Sequence, residues 1–526
     1  MKSAAAMKAL LGLFSGLAVA LSGCAAGPNY HTPKPDTPPA FVASGSANAT
    51  ASTGAATSTG SAGAGASTAA PDPATWWRAL NDPELDSLVE RAIKSNPDIE
   101  IALTRLQQAR NYEAVVLGHA LPDVEASGAA AKGTGNDLTK GRADQGLRSA
   151  DNSTGLQHIN TIAGFDAVWE LDIFGKYRRE FEAARYDAQA AAAARYAVIT
   201  SLIADVVRAY IDLRGFQIQA GVLRNASNVL RESLRIVNIR YERGITNELD
   251  VQLATRELDT LEAQVAPVDA EVNASQYTLA VLLGEYPESI VHELSTPTLI
   301  PSMPAPVAPG APLDLLKRRP DIQEAERELA SATARIGVAT ANLFPQVALI
   351  AGIGSQSQGL GTVPNVSKHI WSFGPGAVWP LLDFGALDAE VNIAHLEAHA
   401  SLVSYRKTIL SAVQQVDAAL DGYSSQQDRL KYLGDAMLAG QRAVNLANAR
   451  YNRGLTDFLN VVDAERQFYD LQEQYAAAQV TQGEQFVELY KSLGGGWQGY
   501  QDVPAIRRPQ PAIIAAFRRT LSSSAP

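Results

Sequence analysis

The chain has 526 residues, of which 55 are acidic and 44 are basic, so its formal net charge is −11 at neutral pH. An acidic balance of this kind gives no reason to expect nucleic acid as a partner. Because Cys24 is the single cysteine, an internal disulfide and a zinc site built from several thiolates are both excluded.

The N-terminal residues have the pattern of an export signal. Lys2 and Lys8 supply a positive start, residues 9–21 are apolar, and small residues precede Cys24. A helix of that apolar length rises about 20 Å, which is short of the roughly 30 Å hydrocarbon core of a bilayer. We therefore expect residues 1–23 to be a signal peptide and not a permanent transmembrane helix.

The tetrad at residues 21–24, Leu-Ser-Gly-Cys, resembles the bacterial lipobox. The resemblance implies that the Cys24 thiol receives a diacylglycerol, that cleavage makes Cys24 the first residue, and that its amine takes a further acyl chain. Ala25, in place of Asp, implies sorting to the outer membrane. Buried acyl chains at about 0.8 kcal/mol per methylene would anchor the protein there. An ordinary signal peptide with a chance cysteine is the alternative, and no other cofactor is expected.

A low-complexity stretch separates this N-terminus from the body of the chain. Residues 43–70 are almost entirely Ser, Gly, Ala, Thr and Asn, a composition that cannot bury enough apolar surface to offset its ordering entropy. We expect residues 24–75 to be the acylated N-terminus and a flexible linker. The predicted body extends from Trp76 to Trp497, and residues 498–526 form a tail.

The body is a tandem duplication. Gly175 to Leu283 aligns without gaps on Gly385 to Leu493 at an offset of 210 positions, whereas Pro122 aligns on Pro345 at an offset of 223. The first copy therefore carries 13 additional residues, which we place in the polar stretch 133–158, in an exposed loop. A period this long indicates two copies of one unit and not a solenoid.

The predicted copies, residues 76–300 and 301–497, each have the order helix, strand, strand, long helix, helix. Val347 to Ile353 alternate as half-buried strand residues do. Gly175 to Tyr241 and Gly385 to Tyr451 are each 67 residues without a proline, which as helix would span about 100 Å. Their apolar positions follow a heptad, so we predict packed, coiled-coil-like helices. Such length is typical of a tube that crosses a wide space.

Two strand pairs give four strands, which cannot close a barrel in lipid, where every backbone amide needs a partner. Two chains would supply eight strands and three would supply twelve, and the strand count does not choose between them. Trp169 and Trp379 lie at matching strand ends, where an aromatic girdle would sit. A soluble hairpin packed on helices is the alternative.

Several longer motifs resemble those of a known family. They are Trp76-Trp77, Asp82-Pro83-Glu84-Leu85, Asn96-Pro97-Asp98, the run from Leu315 to Ile322, Ala325-Glu326, Ile336-Gly337 and Phe344-Pro345. Together they look like the signatures of the TolC-like outer-membrane efflux proteins, in the lipoprotein branch often called NodT. The resemblance covers nearly the whole mature chain.

This resemblance implies a mainly α-helical fold with a transmembrane β-barrel portion. Three chains would form a twelve-stranded outer-membrane barrel that continues into a twelve-helix periplasmic tunnel. The implied function is a passive conduit for small molecules in an efflux system and not an enzyme. Its implied partners are a periplasmic adaptor and an inner-membrane pump of the RND type. A channel for secreted polypeptides and a non-conducting envelope scaffold or adhesin are the alternatives.

Two matching turns follow the long helices, at Tyr241 to Thr246 and at Tyr451 to Thr456. A glycine at a helix end can adopt the left-handed conformation, and Thr246 or Thr456 can cap the next helix, whose first turn carries Glu248 or Asp457. The pattern itself therefore predicts a helix–turn–helix hairpin.

The family resemblance adds functional roles for these two turns. It implies that they form the periplasmic mouth and meet the adaptor through Arg243, Gly244, Thr246, Arg453, Gly454 and Thr456. It further implies a gate just inside the mouth. Asp250 matches the spacing of a family aspartate, the second copy has Asn460 there, and Tyr451 is the aromatic candidate for a closing contact.

Other chemical motifs are incomplete. His395 and His399 have the i, i+4 spacing of zinc ligands but lack the acid of a His-Glu-x-x-His motif, so we expect no metal site. The basic run 317–319 is interpreted as a structural motif before a helix. Gly494 to Gly496 lack the Lys-Ser or Lys-Thr of a phosphate-binding loop.

Overall fold

A computed structural model describes residues 25–34, 38–42, 72–132, 159–304, 312–358 and 369–501. The predicted signal peptide, Cys24, the low-complexity stretch, the inserted loop and the tail beyond residue 501 lie outside the described residues.

The first copy begins with a short 3-10 helix, Pro73–Leu80, so the body starts three residues earlier than predicted. It continues with α1 (Pro83–Ser95), α2 (Pro97–His119), β1 (Asp123–Lys132), β2 (Ile159–Leu171), α3 (Lys176–Glu242), α4 (Glu248–Leu283) and α5 (Pro287–Glu293). The second copy contains α6 (Pro312–Arg318), α7 (Pro320–Ala341), β3 (Gln346–Gln358), β4 (His369–Val378), α8 (Ala386–Asn452) and α9 (Phe458–Ser492). The predicted order of elements in each copy is confirmed.

The family motifs near the start of the body are helix caps. The Asp82 carboxylate accepts hydrogen bonds from the Glu84 and Leu85 amides at 3.0 and 3.3 Å and starts α1. The Asn96 side chain accepts from the Asp98 amide at 2.8 Å and starts α2. A proline follows each cap, where its missing N–H costs nothing and its fixed φ suits a helix.

The two long helices match in length. Both α3 and α8 contain 67 residues, and each follows a glycine in the left-handed conformation, Gly175 with φ 81° and Gly385 with φ 86°. At about 1.5 Å per residue each helix spans roughly 100 Å, as predicted. The shorter α4 and α9, of 36 and 35 residues, pack along α3 and α8 to form two long helical hairpins.

The four strands form one antiparallel sheet in the order β1-β2-β3-β4. The central β2–β3 ladder joins the two copies and extends from Asn160–Gln358 to Leu171–Val347. Within the described chain β1 and β4 are the two edges of this sheet, so each has one side without a strand partner.

The two copies are buried to very different extents. In α3, 27 residues are buried, whereas the equally long α8 has 10. The same contrast separates α7, with 12 buried residues, from α2, with four. The reason is position, because α3 packs against α2, α4, α7 and α9. The helices α2 and α8 lie at the two edges of this packing, so their outer faces remain exposed.

The main core lies around the middle of α3. Trp76 is 1 % exposed and its indole stacks on Tyr490 at 5.4 Å between ring centroids. Trp497 stacks on Tyr196 of α3 at 4.6 Å. By composition alone α3 has a stretch that could cross a membrane, but 56 % of that stretch is buried inside the chain. Its apolar character is therefore explained by packing.

Buried arginines hold the start of each copy to the helices behind it. Arg214 of α3 is fully buried, forms an ion pair with Glu84, and donates to the Thr296 carbonyl at 2.9 Å. In the second copy Arg319 donates to the Ser492 carbonyl at 2.8 Å and to the Gln415 side chain at 2.9 Å. Arg319 thus has the structural role predicted for the basic run 317–319.

Candidate functional site: the hairpin tips and the N-terminal strap

Both hairpin tips have the same backbone turn. In the first, the Gly244 amide donates to the Tyr241 carbonyl and the Ile245 amide donates to the Arg240 carbonyl, both at 2.9 Å. The second tip repeats these two bonds at Gly454 and Leu455, at 2.9 and 3.0 Å. This is the Schellman arrangement, which satisfies the last carbonyls of a helix.

The tip glycines require the left-handed conformation. Gly244 has φ 68° and Gly454 has φ 69°, a region that a residue with a side chain enters only with strain. A Cβ added at either glycine would meet nothing within 4 Å. The requirement is therefore conformational and not steric, and the surface in front of each turn is open. Arg243 and Arg453 are exposed beside these glycines.

The capping prediction for the threonines was wrong by one residue. Asn247 is the N-cap of α4, and its side chain accepts from the Asp250 amide at 3.1 Å. In the second tip Asp457 was predicted to lie in the first helical turn. It occupies the N-cap position instead, just before that turn. Thr246 and Thr456 precede the caps and interact with the next turn of helix instead.

Each threonine pairs with the predicted gate position four residues later. The Thr246 hydroxyl donates to the Asp250 carboxylate. The Asn460 amide donates to the Thr456 hydroxyl oxygen at 2.9 Å. The same geometry therefore carries a carboxylate in the first tip and a neutral amide in the second. Asp250 is half-buried and Asn460 is exposed.

Tyr451 lies between the two hairpins and not on an open surface. Its side chain is 9 % exposed, and its ring centroid is 5.3 Å from that of Phe458. The Arg240 guanidinium lies over the Tyr451 ring at 4.6 Å, a favourable cation–π contact. Val237 and Ala254 of the first hairpin belong to the same apolar cluster. Within one chain Tyr451 therefore joins the tips to each other.

An exposed apolar set at the tips was missed from the sequence. Ile245 and Leu455 are 64 and 63 % exposed, and Leu249 and Leu459 are 63 and 55 % exposed. The two pairs are related by the offset of 210 between copies, which is the signal that could have identified them. Matched apolar side chains at equivalent exposed positions are typical of a surface that binds another protein.

The residues directly after Cys24 are docked on the body. We call residues 25–34 the strap. The Ala26 amide donates to the Phe174 carbonyl at 3.0 Å. Arg179, whose side chain is 5 % exposed, donates through Nε to the Ala26 carbonyl at 3.0 Å and through Nη2 to Asn29 Oδ1 at 2.7 Å. A Cβ at Gly337 would lie 2.7 Å from the Ala26 carbonyl oxygen, so glycine makes room for the strap.

The strap contacts both copies. Tyr30 donates to Glu326 of α7 at 2.8 Å, and its ring lies 5.9 Å from that of Tyr186 in α3. Burial and the Glu326 carboxylate raise the pKa of the Tyr30 hydroxyl. Further along, Phe41 is 2 % exposed in the core of the second copy. The flexible stretch predicted over residues 43–70 lies outside the described residues. Residues 25–34 and 38–42, in the predicted acylated N-terminal part of the segment 24–75, are ordered because a few aromatic side chains supply enough burial.

The strap reaches the body where the strands meet the long helices. Phe174 and Gly175 join β2 to α3, and Cys24 is covalently bonded to the first residue of the strap. Nearby, the indole of Trp169 donates to the Ala120 carbonyl at 3.0 Å, and that of Trp379 donates to the Leu343 carbonyl at 3.1 Å. Trp379 is 55 % exposed. Half-exposed, hydrogen-bonded indoles at one level suit a membrane interface.

The described residues contain no group of three or more His, Cys, Asp or Glu side chains that could hold a metal ion. His395 and His399 both lie on the exposed side of α8.

The structure has the features of one subunit of an oligomeric membrane channel: duplicated helical hairpins, a sheet with two open edges and matched tips. The model of the outer membrane efflux protein family matches residues 88–285 and 311–495, one match for each copy. The chain belongs to this family of outer-membrane channel proteins.

Similar proteins of known type extend over nearly the whole chain. Nodulation protein T of Rhizobium leguminosarum bv. trifolii is 30 % identical over 480 residues, covering 91 % of this chain and 95 % of that protein. The toluene efflux pump outer membrane protein TtgC of Pseudomonas putida is 28 % identical over 497 residues, covering 93 % and 96 %. The solved outer-membrane channel OprN is 32 % identical with a TM-score of 0.77, covering 90 % of this chain and 100 % of that one. The predicted family, fold class and outer-membrane location are confirmed.

Proposed function

We propose that this protein is the outer-membrane channel of a tripartite efflux system and that three copies form the conduit. The observation that carries the proposal is the sheet, because its edge strands β1 and β4 lack partners within the described chain. In lipid those backbone groups need partners from other chains. Three chains give a barrel of twelve strands and, from α3, α4, α8 and α9, a tunnel of twelve helices.

The tips supply the docking surface for a periplasmic adaptor. The exposed side chains of Ile245, Leu249, Leu455 and Leu459 form its apolar part, and Arg243 and Arg453 add positive charge beside the open glycine turns. An inner-membrane pump of the RND type supplies the energy, and this chain acts as a passive conduit. The acyl chains proposed on Cys24 anchor each chain to the membrane. The hydrogen bond from the Ala26 amide to the Phe174 carbonyl, at the junction of strands and helices, supports this proposal.

Small molecules are the proposed cargo. Relatives of this chain are named for the efflux of toluene, for the efflux of antibiotics and for the export of pyoverdine. These names favour low-molecular-weight compounds over secreted polypeptides. The gate is proposed at Asp250 and Asn460, just inside the tips. Tyr451 contributes to closure by holding the two hairpins together through Phe458 and Arg240.

Conductance of the purified protein in planar bilayers tests the channel. The wild type is compared with the double variant Asp250→Ala with Tyr451→Ala, which removes the gate carboxylate and the Tyr451 ring that contacts Phe458 and Arg240. We expect higher conductance in the variant. Absence of conductance in both proteins, with trimers present in the same sample, would contradict a channel and favour an envelope scaffold.

A deletion strain tests the cargo. It is screened against antibiotics, dyes, detergents and metals. The deletion should increase sensitivity to the transported compounds, and the intact gene should restore resistance to the wild-type level. Leu455→Asp should fail to restore resistance if the apolar tip binds the adaptor, whereas Leu299→Asp, an equally drastic change at an 84 % exposed leucine remote from the tips, should succeed. A secretion defect without any drug sensitivity would instead support a polypeptide channel.

A further inference from the structure

A cleft lies between the first helical hairpin, α3 and α4, and helix α9 of the second. Its deep part has a volume of about 140 Å³, and a wider groove of about 990 Å³ runs along α4. We call the two parts together the interhairpin cleft, because Gln219, Leu223, Thr260, Gln264 and Glu473 line both. A water molecule takes up about 30 Å³ in the liquid. The deep part therefore has room for a small organic group and the groove for a longer chain.

The walls of the interhairpin cleft carry an excess of negative charge. Four carboxylates line it against two guanidinium groups, and they belong to Glu257, Asp259, Asp470 and Glu473 and to Arg256 and Arg466. Arg466 already forms an ion pair at 3.1 Å with Asp463, which lies outside the cleft. Gln219 of the first hairpin donates to the Glu473 carboxylate of the second. The formal charge of the walls is −2, so the cleft attracts cations.

Glu257 is the carboxylate in the deep part that most needs a partner. It is 8 % exposed. Among the described residues its ion pair is with Arg256, at 3.6 Å, which is longer than a hydrogen bond. The Arg256 side chain is itself 60 % exposed, so this pair contributes little. A buried carboxylate without a hydrogen-bond donor is unfavourable, and a cation in the deep part would supply that donor.

A proline inside α4 adds a backbone acceptor to the same walls. Pro267 lies in the interior of the helix and has no N–H, so the Ala263 carbonyl lacks its usual donor four residues later. Both residues line the groove. The offset of 210 converts Pro267 into Ala477 and Glu257 into Gln467. The second hairpin therefore repeats neither acceptor, in contrast to the matched tips.

Apolar side chains lie beside these acceptors. Leu223 and Leu261 line the deep part and are 5 and 8 % exposed. The part of the chain that the structure describes has no cluster of His, Cys, Asp and Glu arranged to hold a metal ion. Carboxylates on both hairpins next to an apolar wall fit a short alkyl chain with a charged nitrogen group at each end. Two such charges balance the −2 of the walls.

We propose that the interhairpin cleft binds a linear organic dication, an aliphatic diamine or an aminoalkyl guanidine. One charged group donates to Glu257 in the deep part, and the other donates to Asp470 and Glu473 of the second hairpin. The alkyl chain covers Leu223 and Leu261. Bound in this way, the dication joins the two hairpins of one chain. The site is distinct from the tip surface and goes beyond the proposed function.

Calorimetric titration of the full-length, detergent-solubilised protein with 1,4-diaminobutane tests the site. Magnesium chloride is the control for charge alone, and 1,4-butanediol is the control for shape alone. We expect saturable binding of the diamine, no binding of the diol, and magnesium affinity at least about tenfold weaker, a difference that calorimetry resolves. No saturable diamine binding would overturn the proposal. Equal affinity for magnesium would reduce the cleft to an acidic surface and would also overturn it.

Variants of the two hairpins locate the bound diamine. Glu257→Gln and Asp470→Asn should each weaken its binding by about tenfold, because each removes one hydrogen bond to a charged group. Glu288→Gln changes an exposed acid of α5 outside the cleft and should bind the diamine as the wild type does. Unchanged affinity in both cleft variants would overturn the assignment of the site.

Thermal unfolding separates a binding role of Glu257 from a structural one. Without the diamine, Glu257→Gln should unfold at the wild-type temperature or above it, because the variant no longer buries a charge that lacks a donor. With the diamine at about 100 times its dissociation constant, the wild type should gain stability and the variant should gain less. A lower unfolding temperature of the ligand-free variant would show a structural role and overturn the proposal.

These measurements are independent of the proposed function, because they require no conductance. A wild type that conducts but does not bind the diamine refutes the interhairpin site alone. A wild type that binds the diamine but does not conduct refutes the channel and leaves the site in place.

Discussion

Replacing Arg179 by methionine should release the strap from the body. Methionine keeps most of the aliphatic length of arginine and removes its donors. Arg179 makes three bonds to the strap, and the two shorter ones are those to the Ala26 carbonyl, at 3.0 Å, and to the Asn29 side chain, at 2.7 Å. Hydrogen bonds to a charged group contribute about 1.5 to 3 kcal/mol each. The lower figure gives a loss of about 3 kcal/mol for the two bonds, which is roughly a 150-fold shift toward the open strap.

Hydrogen exchange at the Ala26 amide measures this opening, because that amide donates to the Phe174 carbonyl when the strap is closed. We expect exchange about 100-fold faster in Arg179→Met than in the wild type if exchange follows local opening. Arg179→Lys keeps the charge but loses the planar fork, so its rate should lie between the two. The Gly244 amide at the tip is the internal control and should not change.

Unchanged exchange at Ala26 in Arg179→Met would refute this account. It would show that Tyr30 and Phe41 hold the strap without the arginine. Faster exchange at both Ala26 and Gly244 would indicate global destabilisation and would likewise contradict a local role for Arg179.

Three further predictions concern the tips and the core. Gly244→Ala should lower the unfolding free energy by about 1 kcal/mol, because alanine is strained at φ 68° although space is available, and thermal unfolding measures this. Burial and the neighbouring Glu484 carboxylate raise the pKa of Asp212 from 3.8 to about 6, so the folded state disfavours its charge. The free energy of unfolding should therefore fall as the pH rises from 4 to 6. Asp212→Asn should remove this dependence and raise the free energy of unfolding at pH 7 by about 1 kcal/mol, a figure reduced for solvent screening. Denaturant titrations at several pH values measure both effects. Asp250→Asn removes one carboxylate per chain from the proposed gate, so the permeability for cations relative to anions should fall, measured from the reversal potential in a salt gradient, with no change in thermal stability.

Much of the architecture could be predicted because it depends on long, repeated patterns. The absence of proline over the two 67-residue segments and the constant offset of 210 identified α3 and α8 to within one residue. The alternation from Val347 to Ile353 identified β3. These signals are averaged over many positions, so single exceptions do not change them.

The errors concern single side chains. Thr246 and Asn247 are both good capping residues, and a pattern cannot show which of them precedes the first helical residue. The closing contact at Tyr451 stays a prediction, and what the sequence did not reveal is its packing on Phe458 and Arg240. Which face of α8 meets the other hairpin is decided by packing between distant segments. The order of the strap and of residues 38–42 was missed because their composition resembles a linker, and only Tyr30 and Phe41 indicate that these segments can be buried.

The identical backbone of the two tips has a consequence for how such a channel can change over evolutionary time. Because Gly244 and Gly454 build the same turn, the fold of the mouth does not depend on what stands at positions 250 and 460. In the proposed trimer each chain contributes positions 250 and 460, so there are six such positions. Three of the six carry a carboxylate, from Asp250, and three carry the neutral amide of Asn460. A substitution in one copy alters every second position around the ring. Duplication thus allows the proposed gate to change in two separate steps, because one set of three positions keeps a working state while the other set varies.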